Sequence, residues 1–401
     1  MKKFKWLFLA IFVFVIGCFY TTLIYTGIWF KLTSGLRSLS FFGYFLWFIF
    51  AFYFTLTLHE LGHFIAFYVQ KVKLRALYLT IFVFYKNEKG WHFTVKPKLW
   101  VLFGGLVVPD LGEIRNEEEY KILSNKFRKS LIAAPIVTIS VMALGIIVFV
   151  ISMIFSQHVH LNGILTINAL YITLISILYI YTFKLSNHMF YGDFVAYKKM
   201  KEDPVFELAQ INQYTMFSSI DSRDTIRFMW EKSKETIKTL PLSTSIFYLM
   251  IITNYIDGLL KSDYDFNLEI EDKLRHLNLN ALCKSEQGLN LAYDLCFYDY
   301  KKGHVEQAYQ RFDRIQNKIG KKLDEKMVLY LKNKTLHIMH REDHTEFLSK
   351  KENLYIGQSW IFDALIDPYE MLFAYHQQLP YVEYSCPVVF EEKEEQKSDL
   401  S

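Results

Sequence analysis

Two histidines and a glutamate lie close together in the segment His59-Glu60-Leu61-Gly62-His63. On a helix, side chains four residues apart lie on the same face, so His59 and His63 can bind one Zn²⁺ ion. Glu60 lies beside them and can act as the general base for water that the metal activates. The pattern H-E-x-x-H therefore indicates a zinc hydrolase site.

The surroundings of this motif make it more informative. Residues 38–58, directly before it, contain no charged residue, so the motif lies in an apolar segment long enough for a membrane helix. Ionisable groups inside a membrane helix are energetically costly and by default mark a functional site. The alternative is that the three side chains satisfy one another, or a buried water, without a metal.

A zinc hydrolase normally has three protein ligands and one open position. The candidates for the third ligand follow the last apolar segment and are Asn187, His188 and Asp193. Asp193 is the only acidic residue between Glu119 and Glu202, so we predict that it is the ligand, with His188 as the alternative. If no metal is bound, Asp193 is an ordinary interfacial carboxylate or a helix cap. Asn187 and His188 are candidates for stabilising an oxyanion or contacting substrate.

The apolar segments that must position these residues predict about four transmembrane helices. No charged residue occurs in residues 6–30, 38–58 or 130–183, and a helix crosses the bilayer core in about 20 residues. The polar segment 157–163 divides the last of these stretches into two. We expect spans near residues 6–29, 42–69, 131–155 and 161–184.

The distribution of charge predicts the orientation. The net charge of +4 conceals a basic half and an acidic half: residues 1–200 carry 20 basic and 8 acidic residues, and residues 201–401 carry 25 and 33. Twelve basic residues lie in the loop 70–129, which the positive-inside rule places in the cytosol. We therefore expect a multi-pass protein of the cell membrane with cytosolic N- and C-termini.

A small β-hairpin is expected between the second and third spans, near residues 74–101. Residues 77–85 are aromatic and β-branched, which predicts a strand, and the turn signal at residues 87–90 precedes a returning strand. Gly104-Gly105 and Val108-Pro109-Asp110 indicate loops. An edge of the hairpin can hold an extended substrate by strand addition; the alternative is that the hairpin only packs against the helices.

These residues resemble the site-2 protease family of membrane-embedded zinc metalloproteases, peptidase family M50. The resemblance covers residues 40–197 and rests on three features: the H-E-x-x-H motif, Ala133-Ala134-Pro135 in place of the family's A-G-P, and Asp193 in place of its D-G aspartate. It implies that His59, His63 and Asp193 bind zinc. It also implies that Glu60 is the catalytic base.

The sequence departs from the family's pattern around the second motif. Phe194 follows the aspartate where the family has glycine, and Gly192 precedes it instead. The family's proline between Asn and Asp is absent, and Thr138 stands where the family often has Asn. These departures concern the assignment of the third ligand more than they concern the H-E-x-x-H motif.

Two domains are expected, a membrane-embedded domain of residues 1–200 and a cytosolic α-helical domain of residues 201–401. The spacing of a tetratricopeptide-type (TPR-like) helical hairpin is matched by Leu295, Gly303, Ala308 and Phe312, and the alternative is a generic helical domain.

Two further segments of the cytosolic half can be interpreted. Residues 239–256 are uncharged and are interpreted as a buried helix rather than a fifth span. The charged tail, residues 391–401, is expected to be disordered. The acidic composition and the absence of a binding motif argue against nucleic acid as a partner.

The sequence thus predicts a mainly α-helical, polytopic membrane zinc metallopeptidase that hydrolyses a peptide bond in or near the bilayer. Its expected partners are the lipid bilayer, a membrane-anchored protein or small hydrophobic peptide as substrate, and a cytosolic partner of the helical domain. Regulated intramembrane proteolysis and pheromone- or bacteriocin-type maturation are both open. The alternative from another class is a non-catalytic membrane protein, a transporter or peptide-immunity factor, with a buried His-Glu-His cluster.

Overall fold

The computed structural model describes residues 2–102, 104–155, 158–187, 191–218, 222–261, 264 and 266–372. The tail predicted to be disordered and His188 lie outside these residues. The chain divides into two compact units, one formed by residues 1–109 and 123–198 and the other by residues 110–122 and 199–401. The predicted domain division at residue 200 stays a prediction.

The first unit contains long apolar helices. They are α1 (Lys2–Tyr25), α2 (Ile28–Arg37), α3 (Phe41–Val69), α4 (Glu117–Phe155), which begins in the second unit, and α5 (Val159–Thr182). Within the described residues, α3, α4 and α5 are each long and apolar enough to cross a membrane. A fourth crossing is present if α1 and α2 together form one span.

The first predicted span, residues 6–29, is not one straight helix. Residues 13–25 of α1 and residues 28–37 of α2 meet at 78°. The bend lies at Gly27, whose φ of 71° is left-handed and ends the regular helix. The third predicted span, residues 131–155, is the continuation of α4, which already begins at Glu117.

The candidate membrane helices carry apolar side chains outside and polar side chains inside. Large apolar residues with at least 45% of their surface exposed include Phe41, Phe42, Phe45, Ile147, Ile154, Leu174 and Leu178. Thr55, Thr138, Asn162 and Ser176 are buried. This arrangement suits lipid contact, because hydrocarbon covers the apolar exterior and the polar groups are kept away from it.

A four-stranded sheet replaces the simple predicted hairpin. It consists of β1 (Lys73–Leu79), β2 (Phe82–Asn87), β3 (Gly90–Val95) and β4 (Gly105–Asp110), in the order β3-β2-β1-β4. β2 pairs antiparallel with both β1 and β3. The turn predicted at residues 87–90 is confirmed, since Asn87 and Gly90 pair across a two-residue turn.

The single strand predicted for residues 77–85 is wrong, because a turn at Thr80 and Ile81 separates β1 from β2. Thr80 has a left-handed φ of 49°, which is uncommon for a β-branched residue. Its side chain hydrogen-bonds to the Tyr53 hydroxyl at 2.8 Å, and its N–H donates to the Gly104 carbonyl at 2.9 Å. These long-range contacts stabilise a turn that local residue preferences do not predict.

The loops predicted at Gly104-Gly105 and Val108-Pro109-Asp110 are wrong in part, because residues 105–110 form β4. β4 lies at the edge of the sheet, beside β1. Proline is tolerated in an edge strand, where its missing N–H removes no bond to a further strand.

The second unit is helical over its described residues. Its helices are α6 (Asp193–Glu202), which begins in the first unit, α7 (Pro204–Thr215), α8 (Arg223–Thr239), α9 (Ile246–Lys261), α10 (Leu268–Arg275), α11 (Leu279–Leu282), α12 (Glu286–Lys301), α13 (Val305–Gln316), α14 (Glu325–Ile338) and α15 (Thr345–Leu348). Short 3₁₀ turns follow at Lys351–Asn353 and Gly357–Phe362.

The uncharged segment 239–256 contributes to α9, which has 16 residues. At about 1.5 Å per residue it is roughly 24 Å long, shorter than the bilayer core. It packs against α7, α8 and α12 of the same unit. Its length and packing agree with the interpretation as a buried helix.

The helical hairpin predicted around Gly303 is formed by α12 and α13, which pack against each other. Gly303 has a φ of 82° and lies in the connecting turn. Leu295, Ala308 and Phe312 are buried. Assignment of this hairpin to the tetratricopeptide type stays a prediction.

Candidate metal centre

Three potential metal ligands converge within the first unit. Single donor atoms of His59, His63 and Asp193 all lie within 4.8 Å of one another. Oδ2 of Asp193 is 3.2 Å from Nε2 of His59 and 3.6 Å from Nε2 of His63. The two histidines lie one turn apart on α3, so their shared face follows from the helical period.

The ring of His63 is oriented by α4. Its Nδ1 lies 2.9 Å from the backbone carbonyl of Ser130. A carbonyl can only accept, so Nδ1 carries a proton and donates it, and in the neutral imidazole that binds a metal the lone pair is therefore on Nε2. The Nε2 lone pair therefore points to the side where Asp193 lies.

The ring of His59 is oriented in the same way by another residue of α4. Its Nδ1 lies 2.9 Å from the hydroxyl of Thr138, and that hydroxyl donates to the Ala134 carbonyl at 3.2 Å. Because the hydroxyl proton is used for Ala134, the oxygen accepts from Nδ1–H of His59. Thr138, which departs from the family's Asn, thus supplies an acceptor for this histidine.

The residues of α4 that face the motif repeat every four positions: Ser130, Ala134 and Thr138. Ala134 lies so close to α3 that a Cβ on Gly62 would be 2.7 Å from its Cα. The small pair Gly62 and Ala134 brings the two helix backbones together, and the hydroxyl residues on either side then reach the histidines. Ser130 was not predicted from the sequence, although its spacing from Thr138 was a readable signal.

Asp193 is the first residue of α6 and follows a folded connection from α5. Ser186 and Tyr191 form an antiparallel bridge, and the Gly192 N–H donates to the Leu185 carbonyl at 2.9 Å. A Cβ on Gly192 would lie 2.2 Å from the carbonyl oxygen of Thr182. Glycine is therefore required immediately before the aspartate here, so that the chain can pack on the end of α5.

The charge state of Asp193 suits a metal ligand. Burial disfavours the ionised carboxylate, but attraction to His63 and His59 outweighs burial and holds the pKa of Asp193 below its ordinary value. The side chain is consequently ionised at neutral pH. Metal ligands must be deprotonated to bind.

The donor set fits zinc. Two imidazole nitrogens and one carboxylate oxygen are ligands of catalytic zinc, and bonds of 2.0–2.2 Å in a tetrahedral site place neighbouring donors about 3.3 Å apart. The Asp193-to-histidine distances of 3.2 and 3.6 Å are close to that value. Oδ2 of Asp193 is buried and makes no hydrogen bond within the described part of the chain. A cation between these atoms would satisfy it.

Glu60 lies beside the ligands, as its place in the motif predicts. It is 4% exposed, and its Oε1 is 4.0 Å from Nε2 of His59. Its Oε2 has no hydrogen-bond partner among the described residues. Gly105 of β4 packs on this side chain, because a Cβ there would lie 2.4 Å from Cγ of Glu60. The sheet therefore contacts the candidate general base.

Aromatic rings from the end of α5 cover one side of the centre. The ring of Phe183 stacks on His59 with centroids 4.8 Å apart, and the ring of Tyr179 stacks on it at 5.9 Å. Neither aromatic residue was predicted from the sequence. Their spacing of four residues is typical of any apolar helix face, so it carries no signal for a site.

The two residues predicted to stabilise an oxyanion or contact substrate are Asn187 and His188. Asn187 is an exposed residue of the connection between α5 and α6, and His188 lies outside the described residues. The roles predicted for His59, Glu60, His63 and Asp193 stay predictions, which the geometry supports.

One comparison with known proteins identifies a relationship. The family model described as peptidase family M50 matches residues 47–340, which is more than half of the chain. The match begins in α3, includes the cluster of His59, His63 and Asp193, and extends beyond α14. No curated protein and no solved structure is significantly similar to this chain.

Proposed function

Because this chain belongs to peptidase family M50, we propose that it is a membrane-embedded zinc metallopeptidase that hydrolyses a peptide bond in or near the bilayer. The observation that carries the proposal is the convergence of His59, His63 and Asp193 beside the carboxylate of Glu60. Zinc is the metal that this donor set and the family both imply.

His59, His63 and Asp193 would hold the ion. Zinc, when bound, supplies a Lewis acid that polarises the scissile carbonyl and acidifies water. Glu60 takes the proton from the attacking water and passes it to the leaving amine. Thr138 and Ser130 keep the Nδ1 protons of the two histidines in place, so that both Nε2 lone pairs remain available.

The depth of the site supports a bond in or near the membrane. Glu60 lies nine residues before the end of α3 at Val69. At about 1.5 Å per residue, the site is roughly 14 Å from that end. The α3 helix is one of the three candidate spans. Termini in the cytosol and a location in the cell membrane are part of this proposal, and they rest on the distribution of basic residues.

The substrate class we propose is a membrane-anchored protein or a small hydrophobic peptide. Backbone in a helix is shielded by its own hydrogen bonds, so such a substrate must be extended before attack. The edge strand β4 begins at Gly105, which packs on Glu60. Strand addition to β4 would hold an extended segment close to the general base. The helical second unit is the proposed binding region for a cytosolic partner.

The test uses the full-length chain in bicelles. Zinc content is measured by elemental analysis, and cleavage is followed with fluorescein-labelled casein and with a synthetic single-span peptide carrying a Gly-Pro break near one end. We expect about one zinc per chain and cleavage of at least one probe. The Glu60→Gln variant should keep the zinc and lose cleavage. Absence of zinc, or equal cleavage by both proteins, would favour the non-catalytic alternative.

A further inference from the structure

Tyr179 on α5 is a polar residue of the centre to which neither the motif nor the mechanism above gives a role. Its ring is nearly parallel to the imidazole of His59, with an interplanar angle of 15°, and to Phe183, with an angle of 2°. Stacking on both neighbours fixes the plane of the phenol ring. The two stacked rings, one of which belongs to the candidate ligand His59, therefore restrict the position of the hydroxyl.

The hydroxyl of Tyr179 is buried and has no hydrogen-bond partner among the described residues. Burying a hydroxyl without a partner costs free energy, so buried tyrosine hydroxyls usually find one. The hydroxyl lies within electrostatic range of Glu60. An unpartnered donor at this place indicates that a ligand of the site supplies the acceptor.

Glu60, the candidate metal ligands and the two hydroxyl residues of α4 that orient the histidines cannot supply such a donor. Glu60 and Asp193 accept as carboxylates, and the two histidines use their Nδ1 protons for Thr138 and Ser130. The hydroxyl protons of Thr138 and Ser130 are themselves donated to backbone carbonyls of Ala134 and His63. Among these residues, Tyr179 alone keeps an uncommitted O–H.

Attack of water on a peptide bond places negative charge on the carbonyl oxygen, which a preorganised hydrogen-bond donor stabilises. We propose that the Tyr179 hydroxyl donates a hydrogen bond to the carbonyl oxygen of the scissile peptide bond and strengthens it as the oxyanion forms. The assignment rests on the proposed peptidase function. It replaces the earlier candidates Asn187 and His188 in this role.

A purely structural role is the competing explanation, since the ring also packs on His59. Tyr179→Phe separates the two, because it keeps the stacked ring and removes only the hydroxyl. Tyr181→Phe is the matched control, as Tyr181 lies on the same helix with 65% of its surface exposed.

In the full-length protein, we expect Tyr179→Phe to lower kcat by about 100-fold, a typical loss for one oxyanion donor. KM and zinc content should stay within about twofold, because the substituted group acts on the transition state and does not contact the metal. Tyr181→Phe should resemble the wild type. Unchanged kcat in Tyr179→Phe would overturn the proposal, and so would a loss of zinc, which would assign Tyr179 to positioning of His59.

Binding provides a readout that does not need turnover. A phosphinic analogue of the single-span peptide presents a tetrahedral anion in place of the scissile bond. Tyr179→Phe should bind it about 100-fold more weakly than the wild type does. Equal affinity would overturn the assignment. If Glu60→Gln is inactive while Tyr179→Phe keeps full kcat, only this inference fails; if Glu60→Gln cleaves like the wild type, the proposed function itself fails.

Discussion

Ser130 and His63 bind each other through two hydrogen bonds between α4 and α3. The Nδ1–H of His63 donates to the carbonyl of Ser130 at 2.9 Å, and the Ser130 hydroxyl donates to the carbonyl of His63 at 3.2 Å. The imidazole bond uses the backbone of α4, so it does not depend on the side chain at position 130. His59 differs, because its bond goes to the side chain of Thr138.

This difference predicts unequal effects of two substitutions on α4. Thr138→Val removes the acceptor for Nδ1 of His59 while keeping the shape, so zinc affinity should fall about 10- to 100-fold. Competition with a chelating dye measures the affinity. Thr138→Ser keeps a hydroxyl acceptor, so its zinc affinity should stay close to that of the wild type.

The control for Thr138 is Ser130→Ala, which removes one hydrogen bond to a backbone carbonyl but keeps the acceptor for His63. A small loss of stability, about 1 kcal/mol, is expected without a change in zinc affinity beyond about threefold. If Ser130→Ala and Thr138→Val weakened zinc equally, the assigned donors and acceptors would be wrong.

The third ligand is tested by removing each candidate. Asp193→Ala should lower zinc content well below one ion per chain, because the carboxylate oxygen at 3.2 Å from the His59 nitrogen is lost. His188→Ala should retain the metal. Elemental analysis measures the zinc content of both purified variants. Loss of zinc in His188→Ala alone would show that His188 is the third ligand.

Gly192 positions Asp193, so a methyl group there should disturb the metal. The new Cβ would meet the Thr182 carbonyl oxygen at 2.2 Å, and because that oxygen belongs to the backbone the chain must move. We expect Gly192→Ala to weaken zinc binding at least about tenfold. Gly112→Ala, where a Cβ meets nothing within 4 Å, is the control and should bind zinc normally.

Gly105 should affect catalysis without affecting the metal. A Cβ there would lie 2.5 Å from Cδ of Glu60, so Gly105→Ala must displace the carboxylate. Misplacement of a catalytic group by about 1 Å can cost about 100-fold in rate. Single-turnover cleavage should slow accordingly while zinc content stays unchanged. A variant with normal cleavage would show that Glu60 tolerates the shift.

The H-E-x-x-H site could be predicted because its geometry is local. Two histidines four residues apart share a helix face wherever that helix lies, and the long uncharged segments indicate helices that suit a membrane. Family membership is confirmed by the match over residues 47–340. Asp193 was also selected from the sequence, because few acidic residues occur in that region.

The sheet could be predicted only in part, because only one of its two tight turns has a local sequence signal. A turn at residues 87–90 is signalled locally by its Asn and Gly. The turn at Thr80 is not, because it depends on contacts with Tyr53 and Gly104, which are distant in the sequence. Residue preferences therefore merged β1 and β2 into one strand.

The helical period, the apolar segments and the H-E-x-x-H motif can thus be read from the residues alone. The side chains around that motif cannot, and they became visible in the folded chain: Thr138 and Ser130 at the histidines, Gly105 on Glu60, and Tyr179, whose hydroxyl has no hydrogen-bond partner among the described residues. These contacts depend on how closely helices and strands pack, and small residues such as Gly62 and Ala134 allow that approach without leaving a pattern in one chain. Local spacing brings the two histidines together, and packing between distant segments supplies their neighbours.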